Sequence, residues 1–205
     1  MNRARSQLLA GNAGAFVASC LFGASVVATR SVVDNVRPLS LAVLRFGQGS
    51  LLLLVALALF WPHLLRVRRR DAPLIVLLGI IFFVLFPVAF NKSLTLTTAS
   101  RGSVMLATMP LWTAFLGRLS HRETPSTRQV AGVLISIAGI VVVFVDGGAG
   151  IGDGRAMIGN GLMLFAALCG GLYNLLAKPL LDRYSAVTVT VYAMLTGAVI
   201  LLPFG

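Results

Sequence analysis

Long apolar runs constrain this chain more than any other feature of its sequence. Seven of them are expected, at about residues 9–30, 39–60, 73–93, 99–118, 129–146, 157–178 and 186–204. Each has, with its flanks, roughly the 20 residues that an α-helix needs to cross a bilayer. Because hydrocarbon offers the backbone no hydrogen-bond partners, and the runs do not alternate as barrel strands do, they predict helices. We therefore expect an all-α integral membrane protein with seven transmembrane helices.

The charged residues lie in the short loops between these runs. Only 11% of the residues are charged, 58% are hydrophobic, and the net charge is +11. Because the charges lie in short loops, they indicate topology rather than nucleic-acid binding. With the N-terminus in the cytoplasm, eleven Lys and Arg residues fall on the cytoplasmic side and five on the outer side. This asymmetry predicts a cytoplasmic N-terminus. The short loops and the absence of organelle signals indicate a multi-pass protein of the cell (inner) membrane, surrounded by lipid.

A weak internal repeat divides the chain. With a shift of 148 residues, 9 of the 50 positions in residues 8–57 are identical. The register aligns Gly11 with Gly159, Gly23 with Gly171, Asp34 with Asp182 and Gly49 with Gly197. Five predicted helices lie between the starts of the two copies. Because five is an odd number, the second copy would enter the membrane in the inverted orientation, as in many secondary transporters. We predict a complete first repeat at 8–146, a flexible outer loop at 147–155 and two helices of a second repeat at 156–205.

Small residues recur at helical spacing in two of the predicted helices. They are Gly11, Ala15, Ser19 and Gly23 in the first, and Ala99, Ser103 and Ala107 in the fourth. Such faces let helix backbones approach closely, so we expect them to be packing faces. Lining a ligand site is the alternative for the same residues.

A series of short motifs follows the order of a known repeat. The motifs are Phe22-Gly23, Arg45-Phe46, Thr97-Thr98-Ala99-Ser100, Met109-Pro110-Leu111, Arg122-Glu123, Gln129 and the pair Gly132 and Gly139. In this order and spacing the chain resembles the EamA-type repeat of the drug/metabolite transporter superfamily. The resemblance implies an exporter of small metabolites or drugs that works by alternating access. Pro87 and Pro110 each free a backbone carbonyl and allow a kink in the third and fourth helices, which could serve gating or be a static bend.

Members of that superfamily usually have two repeats and ten helices. The chain therefore looks truncated in its second repeat. Either a second copy, in a homodimer, or a partner chain is expected to supply the missing helices. The alternative function is a non-transporting membrane protein that needs such a partner to complete the bundle.

Arg45 is the most informative candidate for a substrate site. It lies about two turns into the second predicted helix, where a charge costs about 2.5–3.5 kcal/mol if it reaches the bilayer centre. We expect it to face the pathway and hold a carboxylate or phosphate, with Gln48 on the same helical face. Snorkelling to the headgroups and a structural pair with Asp34 are the alternatives.

Four further residues are candidates for substrate binding. Asn91 and Lys92 close the third predicted helix, and Tyr173 and Asn174 lie in the sixth. An Asn in mid-membrane needs a hydrogen bond, which either a neighbouring helix or a substrate can supply. Lys92 is equally explained as a solvated charge at a helix end.

The sequence offers no catalytic constellation. All six acids lie in loops or at helix ends, and the two histidines form no metal-ligand cluster with them. We therefore expect no enzymatic activity, no metal and no cofactor, and a small molecule as the substrate.

The predicted topology can be tested by cysteine labelling. In a chain with Cys20 and Cys169 replaced by alanine, single cysteines at Arg5→Cys and Gly150→Cys are expected to face opposite sides of the membrane. An impermeant maleimide added to sealed, right-side-out vesicles then labels the cysteine at position 150 and leaves the one at position 5 unlabelled until the vesicles are opened. Labelling of both from one side would refute the odd number of crossings between them.

Overall fold

The computed structural model describes residues 2–32, 36, 38–120, 131–132, 135, 138–139 and 154–204. Within these residues the chain is helical and contains no strand. The helices are α1 (Asn2–Val32), α2 (Pro38–Phe60), α3 (Ala72–Gly79, a π-helical segment Ile80–Leu85, and Phe86–Leu94), α4 (Ala99–Leu106), α5 (Met109–Leu119), α6 (Gly154–Leu181) and α7 (Ala186–Leu201). Short 3₁₀ turns at Pro62–Leu65 and Arg69–Asp71 join α2 to α3.

Five helical stretches in the described part of the chain are long and apolar enough to span a membrane. They are Gly11–Val32, Leu39–Phe60, Arg69–Leu94, Gly154–Leu181 and Ala186–Phe204. These agree with five of the seven predicted segments. The predicted segment 99–118 is instead two shorter helices, α4 and α5. Most of the predicted segment 129–146 and of the loop 147–155 lies outside the described residues, so the count of seven remains a prediction.

The exposed surface of α2 is apolar, as expected of a helix that faces lipid. Leu52 and Leu59 expose 70% and 72% of their surface, and Phe60 exposes 70%. In water, contiguous exposed apolar surface of this kind is avoided by monomeric proteins. In a bilayer it is the ordinary outer face of a transmembrane helix.

Both prolines that were expected to bend helices lie next to departures from α-helical geometry. The π-helical segment of α3 ends one residue before Phe86-Pro87. The break between α4 and α5, at Ala107 and Thr108, ends just before Met109-Pro110. Proline has no N–H to donate and its ring crowds the preceding turn, so the helix relaxes there. At the second break the Thr108 hydroxyl donates to the Met105 carbonyl at 2.6 Å, and the Thr108 backbone N–H donates to the same carbonyl at 3.1 Å.

The helix directions follow from contacts between their ends. Asp71, at the start of α3, contacts Arg183, just beyond the end of α6. Ser93, near the end of α3, donates to the carbonyl of Gly159, near the start of α6. Thus α3 and α6 are antiparallel. Successive contacts show that α4 and α5 run parallel to α6. Arg45, near the start of α2, bonds to Thr29 and Ser25 near the end of α1, and the loop after α2 lies at the basic end, so α1 runs against α6.

Two ends of the bundle can be defined from these directions. The basic end holds the α2–α3 loop, the end of α5 and the α6–α7 turn, and it carries Arg66, Arg68, Arg69, Arg70, Arg118, Lys178 and Arg183. The opposite end holds the start of α2, of α4 and of α6. Helices α1 and α6 run in opposite directions, and so do α2 and α7. An inverted repeat requires this arrangement, but the equivalence of the two pairs remains a prediction.

Close backbone approaches occur on α6 rather than on α1. A Cβ added to Gly171 would lie 2.7 Å from the Trp112 Cβ and 2.9 Å from the Thr113 nitrogen, and one added to Gly159 would lie 2.9 Å from the Leu96 Cβ. By contrast, a Cβ added to Gly11 or Gly23 meets no atom within 4 Å. Within the described residues, Gly11 and Gly23 therefore make no close helix contact, and the packing role expected for the small face of α1 remains a prediction.

The α5–α6 crossing gives a matched pair of substitutions. Gly171→Ala is expected to lower the free energy of unfolding by about 1–3 kcal/mol, because the new methyl group meets the backbone of α5. Gly161→Ala on the same helix has open space around the new methyl group and is expected to leave stability unchanged or slightly raised. Thermal and denaturant unfolding of the two variants in detergent measures the difference. Equal stability of both variants would contradict the close crossing.

Candidate functional site

A cavity with a volume of about 960 Å³ lies between α1, α4, α5 and α6. This is within the range of about 300–1,000 Å³ typical of small-molecule sites. Its walls are formed mainly by small and apolar side chains. The lining residues are Ala18, Ser19, Phe22, Gly23, Val26, Ser103, Leu106, Ala107, Met109 and Asn174.

The small residues create this cavity. Ser19 and Gly23 on α1 and Ser103 and Ala107 on α4 and at its end are all exposed. They belong to the two small-residue faces recognised in the sequence, and the structure assigns them the alternative role of cavity lining. Because none of them fills the space between the helices, a gap remains that is wide enough for a ligand.

Asn174 supplies an amide to this cavity. It is exposed on α6, and it is the residue among the six predicted site residues that lines the cavity. An exposed amide on a transmembrane helix offers both a donor and an acceptor to a bound molecule. With the hydroxyls of Ser19 and Ser103, it gives a largely apolar space three polar groups.

Arg45 connects α2 to α1. Its Nη1 donates to Thr29 Oγ1 at 2.7 Å, and its Nη2 donates to Ser25 Oγ. The side chain is half-buried and does not line the cavity, but its two partners flank Val26, which does. Both partners are neutral hydroxyls, so they occupy N–H groups without cancelling the positive charge. Asp34, the alternative partner considered from the sequence, lies outside the described residues.

The remaining predicted residues lie away from the cavity. Gln48 and Lys92 are exposed on α2 and α3, and Asn91 is buried within α3. Tyr173 packs against Phe82, with ring centres 4.6 Å apart, and against Phe83 in an edge contact at 6.3 Å. Adjacent positions on α6 therefore face different surroundings, with Tyr173 in the aromatic core and Asn174 in the cavity.

A polar cluster at the basic end was not anticipated from the sequence. Arg183 Nη1 lies 3.0 Å from Asp71 Oδ1, and the Tyr184 hydroxyl donates to Asp71 Oδ2 at 2.6 Å. Thr188 and Tyr192 donate to the carbonyls of Leu64 and Leu65 at 2.9 and 2.8 Å. The cluster fastens the α2–α3 loop to the start of α7. Its signal in the sequence was Asp71 at the start of one helix and Arg183 after the end of a later one. The charges of both residues had been interpreted only as indicators of membrane topology.

Comparison with protein families gives one match that covers well over half of the chain. A model described as the EamA-like transporter family matches residues 9–145. The chain belongs to this family. The resemblance recognised from the sequence motifs is thereby confirmed, although Arg122-Glu123, Gln129 and most of the stretch around Gly132 and Gly139 lie outside the described residues.

Curated relatives of this EamA-like protein are named as transporters. A probable terminal-alkyne amino-acid exporter of Streptantibioticus cattleyicolor is 33% identical over 138 residues, which are 67% of this chain and 45% of the relative. An uncharacterized transporter of Archaeoglobus fulgidus is 26% identical over 183 residues, covering 89% of this chain and 63% of the relative. The uncharacterized transporter YetK of Bacillus subtilis is 26% identical over 197 residues, covering 93% and 59%.

These comparisons define what kind of protein the chain is. It is a multi-pass membrane protein of a transporter family, and the family and its named relatives are not enzymes, as the sequence predicted. The chain spans between 45% and 63% of the length of the three relatives described above. No solved structure matches the chain.

The Arg45 bridge to α1 can be measured by a double-mutant cycle. Arg45→Gln and Thr29→Val are each expected to lower the free energy of unfolding, and their coupling energy is expected to be about 1–2 kcal/mol, because the hydrogen bond involves a charged donor. Ser31→Ala is the matched control, since the Ser31 hydroxyl bonds within α1 to the Ala28 carbonyl. A coupling of zero between positions 45 and 29 would show that the two helices are not joined by this contact.

Proposed function

We propose that this EamA-like protein exports a small amphipathic metabolite with a carboxylate, of the amino-acid class, through the cavity between α1, α4, α5 and α6. The observation that carries the proposal is the cavity itself, formed by small residues on family-matched helices and lined on one side by Asn174. Export agrees with the printed name of the Streptantibioticus relative, which is a probable exporter of an amino acid.

The chemistry of the cavity fits such a substrate. Phe22, Leu106 and Met109 offer apolar contact to a short side chain. Asn174 and the two serine hydroxyls offer hydrogen bonds to an amino group or a carboxylate. Arg45 does not line the cavity, but it bonds to α1, the helix that forms one of its walls, and its hydroxyl partners do not neutralise its charge, so it would attract an anion toward this part of the bundle.

Alternating access would use the two places where helices depart from α geometry. The α4–α5 break at Ala107 and Thr108 borders the cavity, and the π-helical segment of α3 packs against α6 and α7. Such irregular segments are common at functional sites and at bends. Bending at these two points opens and closes the cavity while the rest of the helices move as rigid rods.

The basic end is proposed to face the cytoplasm. It carries more Lys and Arg residues than the opposite end, as the positive-inside rule requires of cytoplasmic loops. Further helices are proposed to come from a second copy of the chain or from a partner chain, in keeping with the greater length of the relatives.

Efflux from proteoliposomes tests the proposal. Vesicles that contain the purified chain are loaded with radiolabelled amino acids, including propargylglycine as a terminal-alkyne compound, and efflux is compared with that of empty vesicles. Ala107→Trp fills the cavity and is expected to slow efflux by about five- to 150-fold, from an overpacking cost of about 1–3 kcal/mol. Ala58→Trp, on the exposed face of α2, is the matched control and is expected to leave the rate within about twofold.

A second arm examines the charge of Arg45. Arg45→Gln is expected to raise the KM for a carboxylate substrate but not the KM for its amide, which has no carboxylate, whereas Arg45→Lys retains most of the affinity. Equal slowing by Ala107→Trp and Ala58→Trp would refute the cavity as the pathway. Absence of efflux for all the compounds would favour the alternative, a component that acts only with a partner chain, and that alternative requires the chain to purify in a complex.

A further inference from the structure

A second cavity, separate from the proposed transport site, lies at the basic end of the bundle. Its volume is about 640 Å³. One wall is the α2–α3 loop, with His63, Arg66 and Arg68, and the other is the α6–α7 turn, with Arg183 and Ser185. The positive charges on the two walls face a common space. We propose that this cavity binds the phosphate group of an anionic phospholipid.

The donors available in the cavity suit a phosphate. Arg183 uses Nη1 for Asp71, and a guanidinium has five N–H donors, so others remain for a ligand. Arg66 and Arg68 are exposed on the opposite wall. Ser185 caps the N-terminus of α7, where the partial positive charge of the helix adds to that of the arginines. Arginine binds phosphate oxygens through paired N–H groups. Three arginines and no carboxylate are among the residues that line this cavity.

The level of the cavity in the membrane favours a lipid over a soluble anion. Trp61 directly precedes the loop and exposes 54% of its surface, and its ring lies 5.7 Å from that of Phe60. Exposed tryptophan at the end of a transmembrane helix marks the headgroup region. The arginines that follow Trp61 are therefore placed where lipid phosphates lie.

An apolar groove continues from this cavity toward the membrane interior. It has a volume of about 280 Å³ and shares Val67 and Arg68 with the cavity. Its other walls are Ile75 and Val76 on α3 and Tyr192 on α7. A phosphate held by the arginines would have its acyl chain positioned to enter this groove, which a free phosphate would leave empty.

Binding of short-chain lipids to the purified full chain in a neutral detergent tests the assignment. Dioctanoyl phosphatidylglycerol, dioctanoyl phosphatidylcholine and inorganic phosphate are titrated separately, and binding is followed by microscale thermophoresis. The phosphatidylglycerol is expected to bind more tightly than either of the others. The variant Arg66→Gln/Arg68→Gln is expected to weaken its binding about 25-fold, at about fivefold for each arginine. Arg118→Gln removes an exposed charge from the same end but outside the cavity, and is expected to change binding less than twofold.

The groove is tested by a second matched pair. Val76 lines it and Leu77 does not, and the two expose 42% and 43% of their surface. Val76→Trp is expected to weaken phosphatidylglycerol binding, while Leu77→Trp leaves it unchanged. Equal affinity for the two lipids, or equal weakening by the double variant and by Arg118→Gln, would overturn the proposal. Binding of inorganic phosphate as tight as that of phosphatidylglycerol, with no effect of Val76→Trp, would identify a free phosphate as the occupant and would overturn the lipid assignment.

Discussion

Close contact between the backbone of α6 and its neighbours holds the described structure together. In a bilayer the lipid chains are as apolar as the side chains, so helix association depends on packing and on hydrogen bonds between helices. Gly171 lets α5 reach the α6 backbone, and Gly159 lets the turn after α3 do the same. At Gly159 the approach also permits Ser93 to donate to the glycine carbonyl at 2.7 Å. A side chain at position 171 would separate α5 from α6. A side chain at position 159 would separate the turn after α3 from α6 and remove the hydrogen bond from Ser93.

The polar groups of the protein divide into those that fix the bundle and those that remain available to ligands. The Asp71–Arg183–Tyr184 cluster joins the α2–α3 loop to the α6–α7 turn, and both carboxylate oxygens of Asp71 accept hydrogen bonds within it. Asn174 and Arg45 differ from this cluster. Asn174 faces a cavity, and Arg45 is bonded to neutral hydroxyl groups. In a low-dielectric setting a charge without a counter-ion attracts anions strongly. The proposed transport site depends on this difference, whereas the proposed lipid site uses Arg66, Arg68 and the N–H groups of Arg183 that Asp71 does not occupy.

Much of the fold could be predicted from the sequence. The segments 39–60 and 186–204 coincide with the observed spans Leu39–Phe60 and Ala186–Phe204. The irregular geometry near Pro87 and Pro110 was also expected, because proline removes a backbone donor wherever it occurs. The candidate site was predicted less well. Asn174 was identified, but Tyr173 was placed with it although its ring packs in an aromatic core.

The sequence by itself determined which segments are helices in lipid, since the cost of an unpaired backbone group in hydrocarbon leaves no other choice. It also determined the family, because the order of short motifs does not depend on packing. Only the tertiary structure decided whether a small residue meets a helix or a cavity. Gly23 and Gly171 occupy equivalent places in the proposed repeat, yet Gly23 lines open space and Gly171 meets Trp112. Every face of such a helix is apolar. Hydropathy therefore indicates that the helix lies in lipid, but it does not indicate which of its faces meets another helix and which meets a cavity.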